Sequence, residues 1–319
     1  MTNVKKLSEI EAKPTLRNRT WFFDLDLIYG VNELPEHNLG MPKGKISLWA
    51  GQSGVGKSRL CIDVAKNFST KYIGGVVLYF QTESPLSDFA SWAKDTKQYD
   101  QIYCSGENKI DEMIKIIYEV KPKLIFIDSV NEIDEFENGN KKEARRIIQG
   151  ADGRVGLKQA THDVGAHLIL LGQLNQDGKT IKGGTSLPHL VDIALNVVKT
   201  DTNGVFRVEV GTKHRYGSTE NTALFKHTND GVIEYNPNIA PAMQEYQNAP
   251  APVYDAYAPN PNNQYGWSDA QQANYEKTKA EWVASGKIKL DKYGEVIPNS
   301  ERGLLRRLNQ SVGKMFGLK

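Results

Sequence analysis

The chain has 319 residues, of which 39% are hydrophobic and 24% charged, with a net charge of +2. That is enough for one full core and a small appendage, and the near-neutral balance excludes a global basic field, so any nucleic-acid surface has to be local. Two cysteines, Cys61 and Cys104, outside any C-x-x-C spacing, argue against a disulfide framework or a cysteine-rich zinc site.

Residues 1–20 are polar and basic without periodicity, and are expected to form an arm. The N-terminus lacks an apolar leader, and no run of about 18 apolar residues occurs; a cytoplasmic location and no membrane partner are the simplest expectation. From Trp21 to about Asn236, apolar runs alternate with helical patterns. Strands are expected over Ile46–Ala50, Val76–Thr82, Leu124–Asp128, His167–Leu171, Ile193–Val197, Phe206–Thr212 and Ala223–His227. Helices are expected over Ser58–Ser69, Leu86–Asp95 and Ile110–Glu119, with a long one from Lys141 to about Asp163. The alternation predicts an α/β fold with a mainly parallel twisted sheet flanked by helices, and the closely spaced later strands predict an antiparallel edge. Residues 237–267, rich in Pro, Ala, Asn and Tyr, read as a flexible linker. Residues 268–319 read as a tail ending in a short basic helix, with Leu304, Leu308, Val312, Met315 and Phe316 on one face. That helix is a candidate for docking a partner or for packing back on the core.

The segment GQSGVGKS, Gly51 to Ser58, matches G-x-x-x-x-G-K-[ST] between a strand and a helix. Such a loop wraps phosphates with backbone N–H groups, aided by the helix N-terminus. The nucleotide-binding candidates are Gly51, Gln52, Ser53, Gly54, Val55, Gly56, Lys57, Ser58 and Arg59; Lys57 is expected on the β/γ-phosphates and Ser58 on Mg²⁺. KLIFIDS ends an apolar strand in Asp128, a second candidate for holding Mg²⁺. VVLYFQTES ends a neighbouring strand near Glu83, which at the same sheet edge can polarise an attacking water. Gln173 stands past another strand end, where it can sense the γ-phosphate. The loop after it carries Lys179, Lys182, Gly183 and Gly184, residue types suited to a phosphate backbone without base readout. The acids between Asn131 and Asn140 match no metal-binding spacing and read as a solvated loop; the six histidines show no H-E-x-x-H pattern.

The order of these motifs, followed by Lys213-His214-Arg215-Tyr216-Gly217, resembles the RecA-fold P-loop ATPases, and within them the RadA/Sms branch of bacterial recombination motors. That branch carries a lysine-x-arginine-aromatic-glycine signature, usually with Asn second, where this chain has His214. GGTSLPHLVDIALNV, with His189, Val191 and Asp192, resembles the family's helix–strand element. The branch usually begins with a four-cysteine zinc module and ends in a Lon-like domain. This chain has neither, so the resemblance implies a stand-alone core of the kind phages carry. It implies ATP and Mg²⁺ as cofactors, single-stranded DNA as partner, and a ring or filament of identical subunits, a hexamer being the expected count, in a bacterial or phage-infected cell. Glu83, Lys57 and Gln173 are then catalytic in cis, with Lys213 and Arg215 candidates for acting on a neighbour's nucleotide. A DnaB-type helicase core and a KaiC-like signalling ATPase without nucleic acid remain the alternatives, with a small-molecule kinase ranked below both for want of a lid signature.

Overall fold

The computed structural model describes residues 16–30, 39–72, 74–94, 99–136, 140–151, 153–175, 181–182, 186–217 and 219–235. The proposed linker and tail helix lie outside these residues. So do Lys179, Gly183 and Gly184.

In chain order the elements are β1 (Arg17–Asn18), α1 (Phe23–Tyr29), β2 (Met41–Pro42), β3 (Lys45–Gly51), α2 (Lys57–Lys71), β4 (Val77–Gln81), α3 (Leu86–Ala93), β5 (Ile102–Ser105), α4 (Ile110–Val120) and β6 (Leu124–Asp128). A single 3₁₀ turn (Val130–Glu132) follows, then α5 (Lys141–Gln149), α6 (Leu157–Val164), β7 (His167–Gln173), α7 (Leu187–Leu190), β8 (Ile193–Lys199), β9 (Val205–His214), β10 (Thr222–His227) and β11 (Val232–Glu234).

Nine strands form one sheet in the order β11-β10-β9-β8-β3-β7-β6-β4-β5. From β8 to β5 the pairings are parallel; from β8 to β11 they are antiparallel. The expected parallel sheet with an antiparallel edge is therefore observed. The central strands read as unbroken apolar runs because both faces are covered. In β6, Leu124 and Phe126 face the layer of α1, α2 and α3, while Ile125 and Ile127 face that of α4 to α7.

Several expectations need correction. Residues 17–20 are not part of an arm. β1 pairs with β2, and Arg17, Asn18 and Thr20 are buried. The Arg17 guanidinium ties three backbone segments together, donating to the carbonyls of Tyr29 (2.9 Å), Gly40 (2.8 Å) and Tyr216 (3.0 Å). The long helix from Lys141 is two helices. Gly150 has φ of 79°, and a Cβ there would sit 2.2 Å from the Arg154 carbonyl oxygen, so α5 ends at this glycine. β5 and β11, the two edges of the sheet, were not anticipated.

Candidate nucleotide site and the loops around it

Parallel strands bring their C-terminal ends to one edge, and register decides which residues meet there. Gly51 pairs with Gln173, and Asp128 lies opposite both Gln81 and Leu171. The P-loop, Glu83, Asp128 and Gln173 thus come from four adjacent strands, β3, β4, β6 and β7, to a single crevice.

That crevice is an open cleft of about 370 Å³, lined by Ser53, Gly54, Gly56, Lys57, Ser58, Arg59, Glu83, Asp128 and Gln173. The loop turns through left-handed backbone at Gly54 (φ 71°) and Gly56 (φ 112°), which delivers the chain into α2 at Lys57. Gly51 is glycine for a different reason. A Cβ there would lie 2.5 Å from the Val197 carbonyl oxygen of the neighbouring strand. Val55 is buried and anchors the loop, while Gln52, Ser53 and Gly54 are exposed.

Lys57 is buried, and its ammonium donates to the carbonyls of Gly51 (2.9 Å) and Gln52 (3.0 Å). Burial pushes its pKa down, opposed by the carboxylates of Asp128 and Glu83. The chain of α2 thereby presents a cation inside the loop that a phosphate would occupy. Asp128 is also buried; desolvation raises its pKa, while hydrogen bonds from Ser58 and Tyr79 favour the carboxylate. Tyr79 Oη donates to Asp128 Oδ2 at 2.9 Å. A hydroxyl and a carboxylate side by side, facing a phosphate cradle, form an oxygen donor set that fits a hard divalent cation such as Mg²⁺.

Glu83 is held to the Asp128 strand end. Thr82 N–H and Glu83 N–H both approach the Asp128 carbonyl, at 2.9 and 3.4 Å. Its Oε1 accepts from Gln173 Nε2 at 2.8 Å. Gln173 in turn begins the neck of the Gly/Lys loop. Leu174 bridges antiparallel to Ile181, and Lys182 N–H donates to the Gln173 carbonyl at 2.7 Å. Lys182 is exposed.

Sequence reasoning missed Trp92 and His227, which also line the cleft. The Trp92 carbonyl accepts from Arg59 Nη1 at 2.9 Å, and the His227 ring stacks obliquely on Phe206 with centroids 4.9 Å apart. It also missed Asn131, whose Oδ1 accepts the Gln173 backbone N–H at 3.0 Å.

Lys213 and Arg215 are elsewhere. β9 runs antiparallel to β8, so His214 lies opposite Ile193 at the N-terminal end of the parallel strands, the far end from the P-loop of the same chain. A register shift between Ala194 and Leu195 marks a bulge where the strip begins. Lys213 Nζ donates to the carbonyls of Val191 (2.6 Å) and His189 (2.8 Å), closing the end of α7. Arg215 Nη1 stands 3.7 Å from Oδ1 of the buried Asp192, which also binds Lys158 Nζ at 3.1 Å, while Oδ2 takes the Ile46 N–H at 3.2 Å. Gly217 packs on the end of α1. A Cβ there would lie 2.6 Å from the Ile28 carbonyl oxygen, so close approach requires the glycine.

Among the described residues no cluster of His, Cys, Asp or Glu could hold a metal on its own, and no helix is long and apolar enough to cross a membrane.

The sheet order, the phosphate loop and the acids beside it define a RecA-fold P-loop ATPase core. The AAA domain family profile matches residues 37–179, which hold every element of the crevice up to the Gly/Lys loop. The chain is 30% identical to the DNA repair protein RadA of Mycolicibacterium smegmatis over 71% of its own length and 47% of the relative's. It is 27% identical to the RadA proteins of Mycobacterium tuberculosis and Aquifex aeolicus, covering 46% and 53% of them. The chain carries a RecA-like P-loop core similar to that of the RadA proteins, and it spans about half the length of those curated relatives.

Proposed function

We propose that this protein is an ATP-hydrolysing motor of recombination, repair or replication that grips single-stranded DNA as a ring or filament of its own copies. The observation that carries this reading is the Gln173–Glu83 hydrogen bond of 2.8 Å, which joins the acid of the cleft to the neck of a Lys- and Gly-rich loop.

In this reading Gly51 to Arg59 cradle the triphosphate and Lys57 leaves its carbonyl partners for the β/γ-oxygens. Ser58 and Asp128 hold Mg²⁺, which supplies charge neutralisation on the phosphates when bound. Glu83 orients and deprotonates the attacking water. Gln173 turns from Glu83 toward the γ-phosphate. Its position at the loop neck passes that change to Lys182 and, with it, to Lys179, Gly183 and Gly184, the DNA-contacting group. Arg215 lies at the opposite end of the sheet from its own P-loop and serves a neighbouring subunit, stabilising charge on the transferring phosphoryl group, while Lys213, bonded to the carbonyls at the end of α7, holds the strip that carries it. The basic, amphipathically patterned C-terminal sequence is a docking element for a replication or recombination protein. The RadA relatives support the class of work, since they are named for DNA repair.

The test is fluorescence anisotropy with a labelled single-stranded oligonucleotide in ATP analogue across a salt series. Affinity should fall steeply with salt, by about tenfold or more between 50 and 200 mM for several phosphate contacts. No binding even at low salt would instead favour an ATPase that works without nucleic acid.

A further inference from the structure

Asn131 sits in the 3₁₀ turn that follows the Asp128 strand, in a stretch that reads as a solvated acidic loop. Its side chain makes two bonds. Oδ1 accepts the Gln173 backbone N–H at 3.0 Å, and Nδ2 donates to the Lys182 carbonyl. Gln173 and Lys182 are also bonded to each other, Lys182 N–H to the Gln173 carbonyl. One primary amide therefore spans both strands of the loop neck, with its acceptor on one and its donor on the other. No other residue type of this length offers that pair.

The turn that carries Asn131 is itself fixed to the catalytic acids. Thr82 Oγ1 donates to the Ser129 carbonyl at 3.0 Å, and the Asp128 carbonyl takes the Thr82 and Glu83 amides. Val130, Ile133 and Phe136 are buried in the layer of α4 to α7, so the turn is anchored and cannot follow the loop. A rigid turn gripping a two-stranded neck acts as a fulcrum. When the Gln173 side chain changes partner on one side, the grip obliges Lys182 on the other side to respond.

We propose that Asn131 is the positioning residue that sets Gln173 against Glu83 and couples nucleotide state to the loop neck. It touches neither nucleotide nor the reacting atoms and acts through Gln173. The inference rests on the proposed ATPase role of Gln173 and Glu83, and does not require that the loop bind DNA.

The test is hydrogen exchange at the Gln173 and Lys182 amides, with and without a non-hydrolysable ATP analogue, alongside steady-state hydrolysis. Wild type should show a nucleotide-dependent change at Lys182. Asn131→Ala should lose that dependence, expose the Gln173 amide by about tenfold or more in exchange rate, and lower kcat while leaving KM for ATP within about twofold. Asn131→Asp keeps the acceptor and loses the donor, so it should protect Gln173 normally yet fail to transmit to Lys182. A nucleotide response at Lys182 in Asn131→Ala equal to that of wild type would overturn the proposal, as would no response in wild type. If the neck responds to nucleotide but no oligonucleotide binds at any salt, the coupling stands and the DNA reading falls.

Discussion

Arg215 stands 3.7 Å from the buried carboxylate of Asp192, at the opposite end of the sheet from the P-loop of its own chain. Asp192 is 1% exposed, while the Arg215 side chain is 55% exposed. The buried anion stands beside the guanidinium itself, through Nη1, while the rest of the Arg215 side chain is exposed. Lys213, two residues earlier on β9, is committed to backbone carbonyls instead.

This geometry predicts complementation between defective subunits. Arg215→Ala and Lys57→Ala should each hydrolyse ATP poorly, by about 10³-fold for loss of a trans cation. Mixed, they should regain activity above the sum of the two. An intact P-loop in one subunit then meets an intact Arg215 from the other. Strictly additive activity in the mixture would show that Arg215 does not act across an interface.

Glu83→Gln should retain nucleotide binding and lose hydrolysis by about 10²-fold or more, the scale of a lost general base. Gln keeps the size and the hydrogen-bonding capacity toward Gln173 but cannot take the proton. Phosphate release, read beside fluorescent nucleotide binding, separates the two effects.

Gly56→Ala should destabilise the protein by about 1–3 kcal/mol through its left-handed backbone alone. The added Cβ would also lie 2.5 Å from His227 Cε1. His227→Ala in the same chain removes the collision and leaves the strain. Thermal melts of the single and double variants should therefore show partial recovery; full recovery would assign the whole cost to the ring.

Most of the sheet was legible because buried parallel strands carry continuous apolar runs. β3, β4, β6, β7 and β8 have that signature, and the P-loop motif fixed the functional edge. β5 was missed because it is an edge strand of only four residues, Ile102–Ser105, too short a run to show a period. The break between α5 and α6 was legible in Gly150, Gly153 and Gly156 and in an apolar stripe that resumes out of phase at Leu157, nine residues after Ile148. Arg17, Asn131, Trp92 and His227 owe their roles to partners far away in sequence, on elements whose register no local pattern specifies. The Lys213–Gly217 strip was noticed for its charge. Yet the structure assigns Gly217 to close packing on α1, and Lys213 to the carbonyls at the end of α7, which only the fold reveals.

His167 offers a test of the core that is independent of the cleft. It is fully buried; its Nδ1–H donates to the Pro42 carbonyl at 2.8 Å, and Nε2 accepts from Ser47 Oγ at 2.7 Å. Desolvation depresses its pKa to about 4. The folded value lies below the unfolded value, so the stabilisation is present above pH ~6.5 and is lost as pH falls toward 4. The loss amounts to about 3 kcal/mol over that window. Buried Asp26, raised to about 7, contributes in the opposite sense, favouring the fold at low pH. Denaturation of wild type and His167→Gln across pH isolates the histidine, because Asp26 is common to both. The wild type should lose stability relative to the variant between pH 6.5 and 4, and parallel curves would contradict the assigned protonation.

The proposed coupling of hydrolysis in the cleft to single-stranded DNA is read from ATP turnover measured with and without the strand. At moderate salt and saturating ATP, single-stranded DNA should raise hydrolysis several-fold in the wild type, and Lys57→Ala should show no turnover under either condition. Hydrolysis that is robust, abolished by Lys57→Ala, and unchanged by any polynucleotide would contradict it.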